Sequence, residues 1–335
     1  MITDSASWKG QASGGASPGV RGSLQFRCVA CGCAPLSDPA STPAAFSCPH
    51  CGHAVMKSNG ILRALTADRE RHYWRFVRDY EAIRAREGRG SKSSEYYLAL
   101  PFRDVTGHNR WQWQIRARTF AYLERRILPE IERSLRTRVE CLDLGAGNCW
   151  LSYRLALRGH RLVAVDLIDN EDDGLGAGQH YLSCLRHPFL RVQAEMDNLP
   201  FASAQFDVVI FNASFHYSVD YRRTLAEAVR CLRPSGHVII ADSPFYSCEE
   251  SGRRMVEEKH AQFERQFGFR SDNLPSREYL THDCLNELAR SLSVQWRINK
   301  PWYGAGWALR PWKARLQRRR EPAKFYLITG RVGRP

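Results

Sequence analysis

The sequence predicts an α/β fold: a doubly wound, mainly parallel sheet, preceded by a small cysteine-rich module and a helical extension. Three observations predict it. Short apolar runs ending near Leu144, Asp166, Val192, Phe211 and Ala241 alternate with helical stretches across residues 138–242, the pattern of a sheet built from strand–helix–strand units. The first run breaks into a glycine turn, Asp143-Leu-Gly-Ala-Gly-Asn-Cys149, and then a helix. Two Cys-x-x-Cys pairs lie well upstream of that turn.

In chain order, residues 1–22 are rich in Ser, Gly and Ala and lack the apolar stretch of a signal peptide, so a disordered leader is expected. Residues 23–63 form the cysteine module. Cys28-Val-Ala-Cys31 and Cys48-Pro-His-Cys51 are separated by 16 residues. Each pair forms a knuckle that aims two thiolates at one point, and tetrahedral Zn²⁺ takes four such ligands at about 2.3 Å. Cys28, Cys31, Cys48 and Cys51 are therefore the expected zinc ligands, with Cys33, His50 and His53 near enough to substitute. A closed four-thiolate shell has no open position, which makes the metal structural. A module of this size has little core without its metal. Eleven cysteines, four of them in these pairs, fit a reducing cytoplasm.

Residues 64–136 read as helical and charged, with a break around Gly88–Ser94. Tyr73, Trp74, Phe76, Val77, Tyr80 and Ile83 recur at helical spacing and give that helix one buried face. A second helix is expected from about Asn109 to Leu135, with Trp113, Ile115, Phe120, Leu123, Ile127 and Ile131 inward. The stretch is expected to help build a pocket, with Tyr96, Tyr97 and Trp111 as candidates.

The strand and turn at Val139–Cys149 bring backbone close to a ligand, since Gly145 and Gly147 carry no Cβ. About 20 residues on, a second apolar strand ends in Asp166, and that pairing binds a nucleoside. The acid just before the first glycine, Asp143, suits a cationic amino group rather than a pyrophosphate. Glu195, in Ala194-Glu-Met-Asp-Asn-Leu-Pro-Phe201, offers a carboxylate to an adenine amino group. Gln205–Asn212 then begins the fourth strand.

These motifs, in this order, resemble the class I S-adenosylmethionine-dependent methyltransferases of the type 11 kind, over about a third of the chain. The resemblance implies a Rossmann-like, seven-stranded methyltransferase sheet across residues 137–335 and S-adenosylmethionine as cofactor. It implies that the loop of Asp143, Gly145 and Gly147 wraps the methionine part and that Asp166 holds the ribose hydroxyls. Glu195 would meet adenine by its side chain and Met196 by its backbone amide, while Asn212, with Ala213, would face the reactive methyl. For an extension ahead of the sheet, such as residues 64–136, the resemblance implies a lid. Cys149 stands where the family usually has a third glycine.

Methyl transfer from a sulfonium is an in-line displacement, and a base is needed only where the acceptor must lose a proton. His216 is the candidate base and Tyr217 a candidate orienting group; the alternative for His216 is a packing or capping role. Asp242 is a further pocket-facing acid. Asn212-Ala-Ser-Phe215 lacks the Pro-Pro-Tyr of amino-directed base methylation, and no Pro-Cys pair offers a carbon-5 nucleophile, so ring nitrogen and oxygen acceptors stay open.

Residues 299–323 are expected to form an insertion between antiparallel strands Val294–Ile298 and Lys324–Thr329, longer than most hairpin connections. There Trp302, Tyr303, Trp307 and Trp312 alternate with Arg310, Lys313 and Arg315. Such a segment stacks bases and holds phosphates, lies at a lipid headgroup surface, or anchors a loop on the sheet edge. The net charge is +14, and nine Lys/Arg against one acid fall between Trp307 and Pro335. A basic surface attracts nucleic acid, anionic lipid or phosphorylated substrates. No apolar run reaches about 18 residues, so no transmembrane helix is expected.

The leading expectation is a cytoplasmic methyltransferase acting at N or O of a small or medium-sized metabolite, lipid- or sugar-linked acceptors included. One alternative is an RNA base methyltransferase binding through the basic C-terminal region; a zinc module ahead of the catalytic domain is similar in placement to bacterial rRNA guanine-N1 methyltransferases. The other is a non-catalytic S-adenosylmethionine-binding protein.

Overall fold

A computed structural model describes residues 23–34, 45–135, 138–270 and 272–333; the expected leader lies outside them. The cysteine module supplies three short strands, β1 (Ala45–Ser47), β2 (Ala54–Ser58) and β3 (Ile61–Arg63). Helices α1 (Ala67–Arg86), α2 (Ser94–Ala99), α3 (Arg110–Tyr122) and α4 (Leu128–Leu135) follow, the last two joined through a π-turn at Leu123–Ile127. Thr66 caps α1 by accepting from the Arg69 amide, and Asp68 and Glu70 in the first turn complement the helix dipole.

The alternating region runs β4 (Glu140–Leu144), α5 (Trp150–Leu157), β5 (Arg161–Asp166), α6 (Gln179–Leu182), β6 (Leu190–Gln193), β7 (Phe206–Asn212), α7 (Tyr221–Cys231) and β8 (Leu232–Phe245). It is followed by α8 (Glu249–Phe267), α9 (His282–Leu292), β9 (Val294–Asn299), α10 (Ala305–Ala308), α11 (Arg310–Leu316) and β10 (Lys324–Val332). The sheet order is β1-β2-β3-β6-β5-β4-β7-β8-β10-β9. From β3 to β8 neighbouring strands are parallel, and both ends are antiparallel. Strands β4 and β7 are covered on both faces, which is why they read as continuous apolar runs.

The expected seven strands are present as β4–β10, but the described sheet has ten. Strand β3 adds in parallel to β6, pairing Ile61, Leu62 and Arg63 with Arg191, Val192 and Gln193. The module thereby covers an edge that would otherwise offer unpaired backbone groups to other chains. It also draws on the main core instead of a core of its own. Phe26, Cys28, Cys48, Val55 and Leu62 belong to the same buried cluster as Phe201, Phe206 and Phe211. The Phe26 and Phe201 rings lie 5.6 Å apart, and backbone bonds from Arg27 to Pro200 and from Ala202 to Gln25, each 3.0 Å, flank them.

Two expectations about the extension are corrected. Tyr96 and Tyr97 are core residues and do not line a pocket: both are buried, and Tyr97 stacks on His180 with its hydroxyl 2.6 Å from the Asp172 carbonyl. Trp111 is an exposed residue leaning on Trp307, 5.6 Å between rings. The 299–323 insertion is no plain loop but carries α10 and α11, pinned by buried Tyr303, whose hydroxyl lies 2.8 Å from Thr119 Oγ1.

Because Phe26 is 1% exposed and shared with the sheet's core, Phe26→Ala is expected to cost about 3–5 kcal/mol. Calorimetry should show a single transition moved down as a whole. A split melt with its main part at the wild-type midpoint would make the module independent.

Candidate functional site

Strands β4, β5 and β7 end side by side, and the turn after β4 fills the space between their ends. Gly145 has φ +72°, and a Cβ there would sit 2.2 Å from the Ser214 Cβ, so only glycine fits. The Gly145 and Ala146 amides donate to the Val165 carbonyl at 2.8 and 3.0 Å. The Gly147 amide donates to Asp166 Oδ2 at 2.7 Å, and the Ile168 amide to Oδ1 at 2.9 Å. Burial raises the Asp166 pKa, opposed by these amide donors. Cys149, where the resembled family usually has a third glycine, holds a left-handed φ of +63° ahead of α5.

A cavity of about 1080 Å³, mouth included, opens at this turn. Its lining includes Gly145, Gly147, Asp166, Glu195, Met196, Asn212 and Tyr217, all expected from the sequence. Helix α1 lines it with Tyr73, Phe76, Tyr80 and Arg84. Glu195, 4% exposed, is ion-paired to Arg69 of α1. Arg84 pairs with Asp173 at 2.7 Å, and Asp173 also accepts from Asn148. The exception is Asp143. Its side chain is fully buried beside α5, where Oδ2 accepts from Ser152 Oγ at 2.7 Å, and it does not line the cavity. The expectation that it faces a ligand's amino group is corrected.

A second cavity shares Phe76, Tyr80, Arg84, Arg116, Ala213 and Tyr217 with the first. His216, Asp242, Lys259 and Glu278 line it, along with apolar Ile83, Phe263, Leu274 and Phe325. Lys259 and Glu278 pair at 2.5 Å. Ala213 and Asp242 hold left-handed φ values of +56° and +51°, strain of a kind that concentrates at functional sites. Asp242 Oδ1 accepts from Thr119 Oγ1 at 2.6 Å, Oδ2 has no hydrogen-bond partner, and burial raises the carboxyl's pKa against Thr119 and Arg116.

His216 lies buried with Nδ1 3.2 Å from Ser243 Oγ. Burial, then the charges of Lys259 and Arg116, push its pKa down to about 3, so it is neutral near pH 7 and a weak base. Arg116 was not expected from sequence. Burial, then Arg89 and Arg84, lower its pKa to about 10, and it stays cationic, resting on the Trp113 ring. It makes no ion pair among the described residues. No local signal marks it, since on a charged helix it reads as a solvated side chain.

In the module, Cys28, Cys31, Cys48 and Cys51 have their sulfurs within 4.8 Å of one another. Cys28–Cys51 and Cys31–Cys48 are 3.6 and 3.7 Å apart. A tetrahedral shell with metal–sulfur bonds of about 2.3 Å has edges of roughly 3.8 Å, so this set fits a metal ion. Cys33, His50 and His53 lie outside the cluster.

Residues 142–240 match the family model of a methyltransferase domain. The chain carries a methyltransferase domain. One 51-residue stretch is 47% identical to a phthiotriol/phenolphthiotriol dimycocerosates methyltransferase of Mycobacterium leprae, covering 15% of this chain and 19% of that protein. A 105-residue stretch is 32% identical to a malonyl-[acyl-carrier protein] O-methyltransferase of Hahella chejuensis, covering 30% of this chain and 35% of that protein. The chain thus spans about a fifth to a third of the length of these curated relatives. Among solved structures, an S-adenosylmethionine-dependent methyltransferase of Thermotoga maritima, a possible histamine N-methyltransferase, is 15% identical with a TM-score of 0.42, covering 71% of this chain and 98% of that one.

Within the methyltransferase domain, burial pushes the Asp143 carboxyl up to about 7 against the Ser152 hydrogen bond. In the unfolded chain it titrates near ~3.9. The folded state therefore favours the protonated form, and the stability this group contributes is full below about pH 4 and is lost as the pH rises through 7. Asp143→Asn carries no charge and keeps an acceptor for Ser152. It is expected to gain on the wild type between pH 5 and pH 8 by on the order of 2–3 kcal/mol in urea melts. A pH-independent difference would show that the carboxyl is not burdened by burial.

Proposed function

We propose that the protein transfers a methyl group from S-adenosylmethionine to an oxygen or nitrogen of a small or medium-sized metabolite, a lipid-linked one being the favoured kind. The observation that carries this reading is the shared wall of the two cavities: Arg116, Ala213 and Tyr217 line both. One cavity has the nucleoside-binding residues, and the other combines apolar side chains with both cations (Arg84, Arg89, Arg116, Lys259) and acids (Glu87, Asp242, Glu278), a lining suited to a polar acceptor. The relatives' names span unlike acceptors, so they support the reaction more than the substrate.

S-adenosylmethionine, when bound, supplies the methyl group together with its leaving group. The chain's part is to hold and align. The residues fit the cofactor: the turn at Gly145 closes against Ser214 with no room for a Cβ, and the Asp166 carboxylate lies beside that turn, on the cavity, to accept from ribose hydroxyls. Glu195, fixed by Arg69, and the Met196 amide bound the adenine end, and Asn212 the methionine end.

The base role expected of His216 passes to Asp242. A neutral imidazole with a pKa near 3 takes a proton poorly, whereas Asp242 has a raised pKa and an oxygen without a partner. Asp242 Oδ2 accepts the acceptor's proton, Arg116 favours the negative charge left on the acceptor, and Tyr217 orients it. Zn²⁺ in the four-cysteine site is structural, and the module it holds braces the adenine end. Asn198 Nδ2 donates to the Val29 carbonyl at 3.0 Å, three residues from Glu195.

Three experiments test this. Radiolabel from the methyl donor should enter a low-mass, nuclease-resistant fraction of cell extract. Asp242→Asn should lower the transfer rate by about 10²-fold or more with cofactor affinity unchanged, whereas Asp166→Ala should weaken cofactor binding by about 1–3 kcal/mol in calorimetry. Label lost on nuclease treatment would establish the RNA reading, and binding without transfer the non-catalytic one. Separately, Cys48→Ser should strip the metal, measured by elemental analysis, and weaken cofactor binding several-fold. Full metal content in that variant would make His50 or His53 a ligand, and unchanged cofactor binding would remove the bracing role.

A further inference from the structure

We propose that α11 and its flanks form a docking face for an anionic membrane surface. Among the described residues, the four most exposed large apolar side chains are Leu316, Trp312, Trp302 and Leu309, at 87, 75, 70 and 61%. All lie in the 299–323 insertion. Leu309, which caps α11 in a helical conformation, and Trp312 and Leu316 within it are spaced by three and four, so they share one face of α11. Single exposed apolar residues are ordinary, but a helical stripe of them marks a binding surface.

The charge around the stripe identifies the partner. Between Gly304 and Arg320 the sequence has six Lys/Arg and no acid. A groove beside the stripe is lined by Arg254, Lys313, Arg318 and Arg319, and its one acid, Glu258, is paired with Arg320. Leucines that enter the acyl boundary, a tryptophan at headgroup level and cations over phosphates are the three parts of an interfacial helix. Nucleic acid would use the cations and the indole but gives no reason to expose Leu309 and Leu316. The face is also connected to the acceptor cavity: Trp307, in the same helical segment, lies 5.6 Å from Phe325, which lines that cavity. A lipid-linked acceptor held at the surface would thus lie close to the site.

The test is sedimentation of the full chain with vesicles of phosphatidylcholine alone or mixed with phosphatidylglycerol, with tryptophan emission followed in parallel. The protein should sediment with the anionic vesicles, at least about tenfold more than with neutral ones, with a blue shift in emission. The triple variant Leu309→Ser, Trp312→Ser, Leu316→Ser touches only exposed side chains and should melt like the wild type yet stay in the supernatant. Lys313→Glu with Arg318→Glu and Arg319→Glu should lose the preference for anionic lipid. The proposal is overturned if the wild type ignores anionic vesicles or if the serine variant binds them equally well. It is also overturned if the serine variant merely converts a dimer to a monomer in light scattering, or if the stripe proves necessary for RNA binding instead. None of these readouts depends on methyl transfer.

Discussion

The contact between Gly145 and Ser214 is the constraint on which the site depends. The first turn and the exit of β7 approach so closely that a single Cβ at 145 would drive them apart. Ser214 Oγ reinforces the approach by donating to the Leu144 carbonyl at 2.5 Å. Ala213, one residue earlier, is left-handed, donates its amide to the Ala241 carbonyl at 2.8 Å, and forms wall for both cavities. Widening the junction would move the turn and the wall shared by the two cavities together. A glycine in a tight turn therefore sets the relative position of the two cavities.

The Glu195 end of the first cavity is built from parts of the chain distant in sequence. Glu195 is held by Arg69 from the start of α1, and Asn198 by Val29 from the first knuckle of the cysteine module. The module is thus more than an edge cap. Its strand β3 closes the sheet beside β6, while its knuckle fixes the loop that follows β6. Burying Phe26 in the main core ties the two together.

What could be read from the sequence was what local pattern encodes. The glycine turn, the acid ending β5, the cysteine spacing and the buried strands are all written within a few residues of themselves. Asp143 misled because motif position was weighed above strand periodicity. Along β4, Leu142 and Leu144 face one core cluster while Cys141 faces the other, so side-chain alternation puts Asp143 on the α5 side, under Ser152. Tyr96 and Tyr97 look like any pocket aromatics until α6 is seen to cover them. His216 was legible as a residue of the site but not as a weak base, since its burial and the cations Lys259 and Arg116 come from elsewhere in the chain. Asp242 gains its place from an irregular pairing of β10 with β8 between Phe325 and Leu327, which no local sequence signal announces.

The insertion that carries the exposed stripe also reaches inward. Tyr303 is buried with its hydroxyl against Thr119 Oγ1, and Thr119 Oγ1 donates to Asp242 Oδ1. Thr119 Oγ1 also lies 3.3 Å from the Ile115 carbonyl, but the carboxylate at 2.6 Å is the nearer acceptor. With the Thr119 proton on the carboxylate, Tyr303 is the donor in the other bond and both protons point toward Asp242. Such an arrangement favours the ionised carboxylate against the burial that raises its pKa, and it leaves Oδ2 as the acceptor without a partner. The segment that presents leucine and tryptophan to the outside therefore also reaches Asp242 inside, through Tyr303 and Thr119, so one insertion touches both the outer face and the cavity wall.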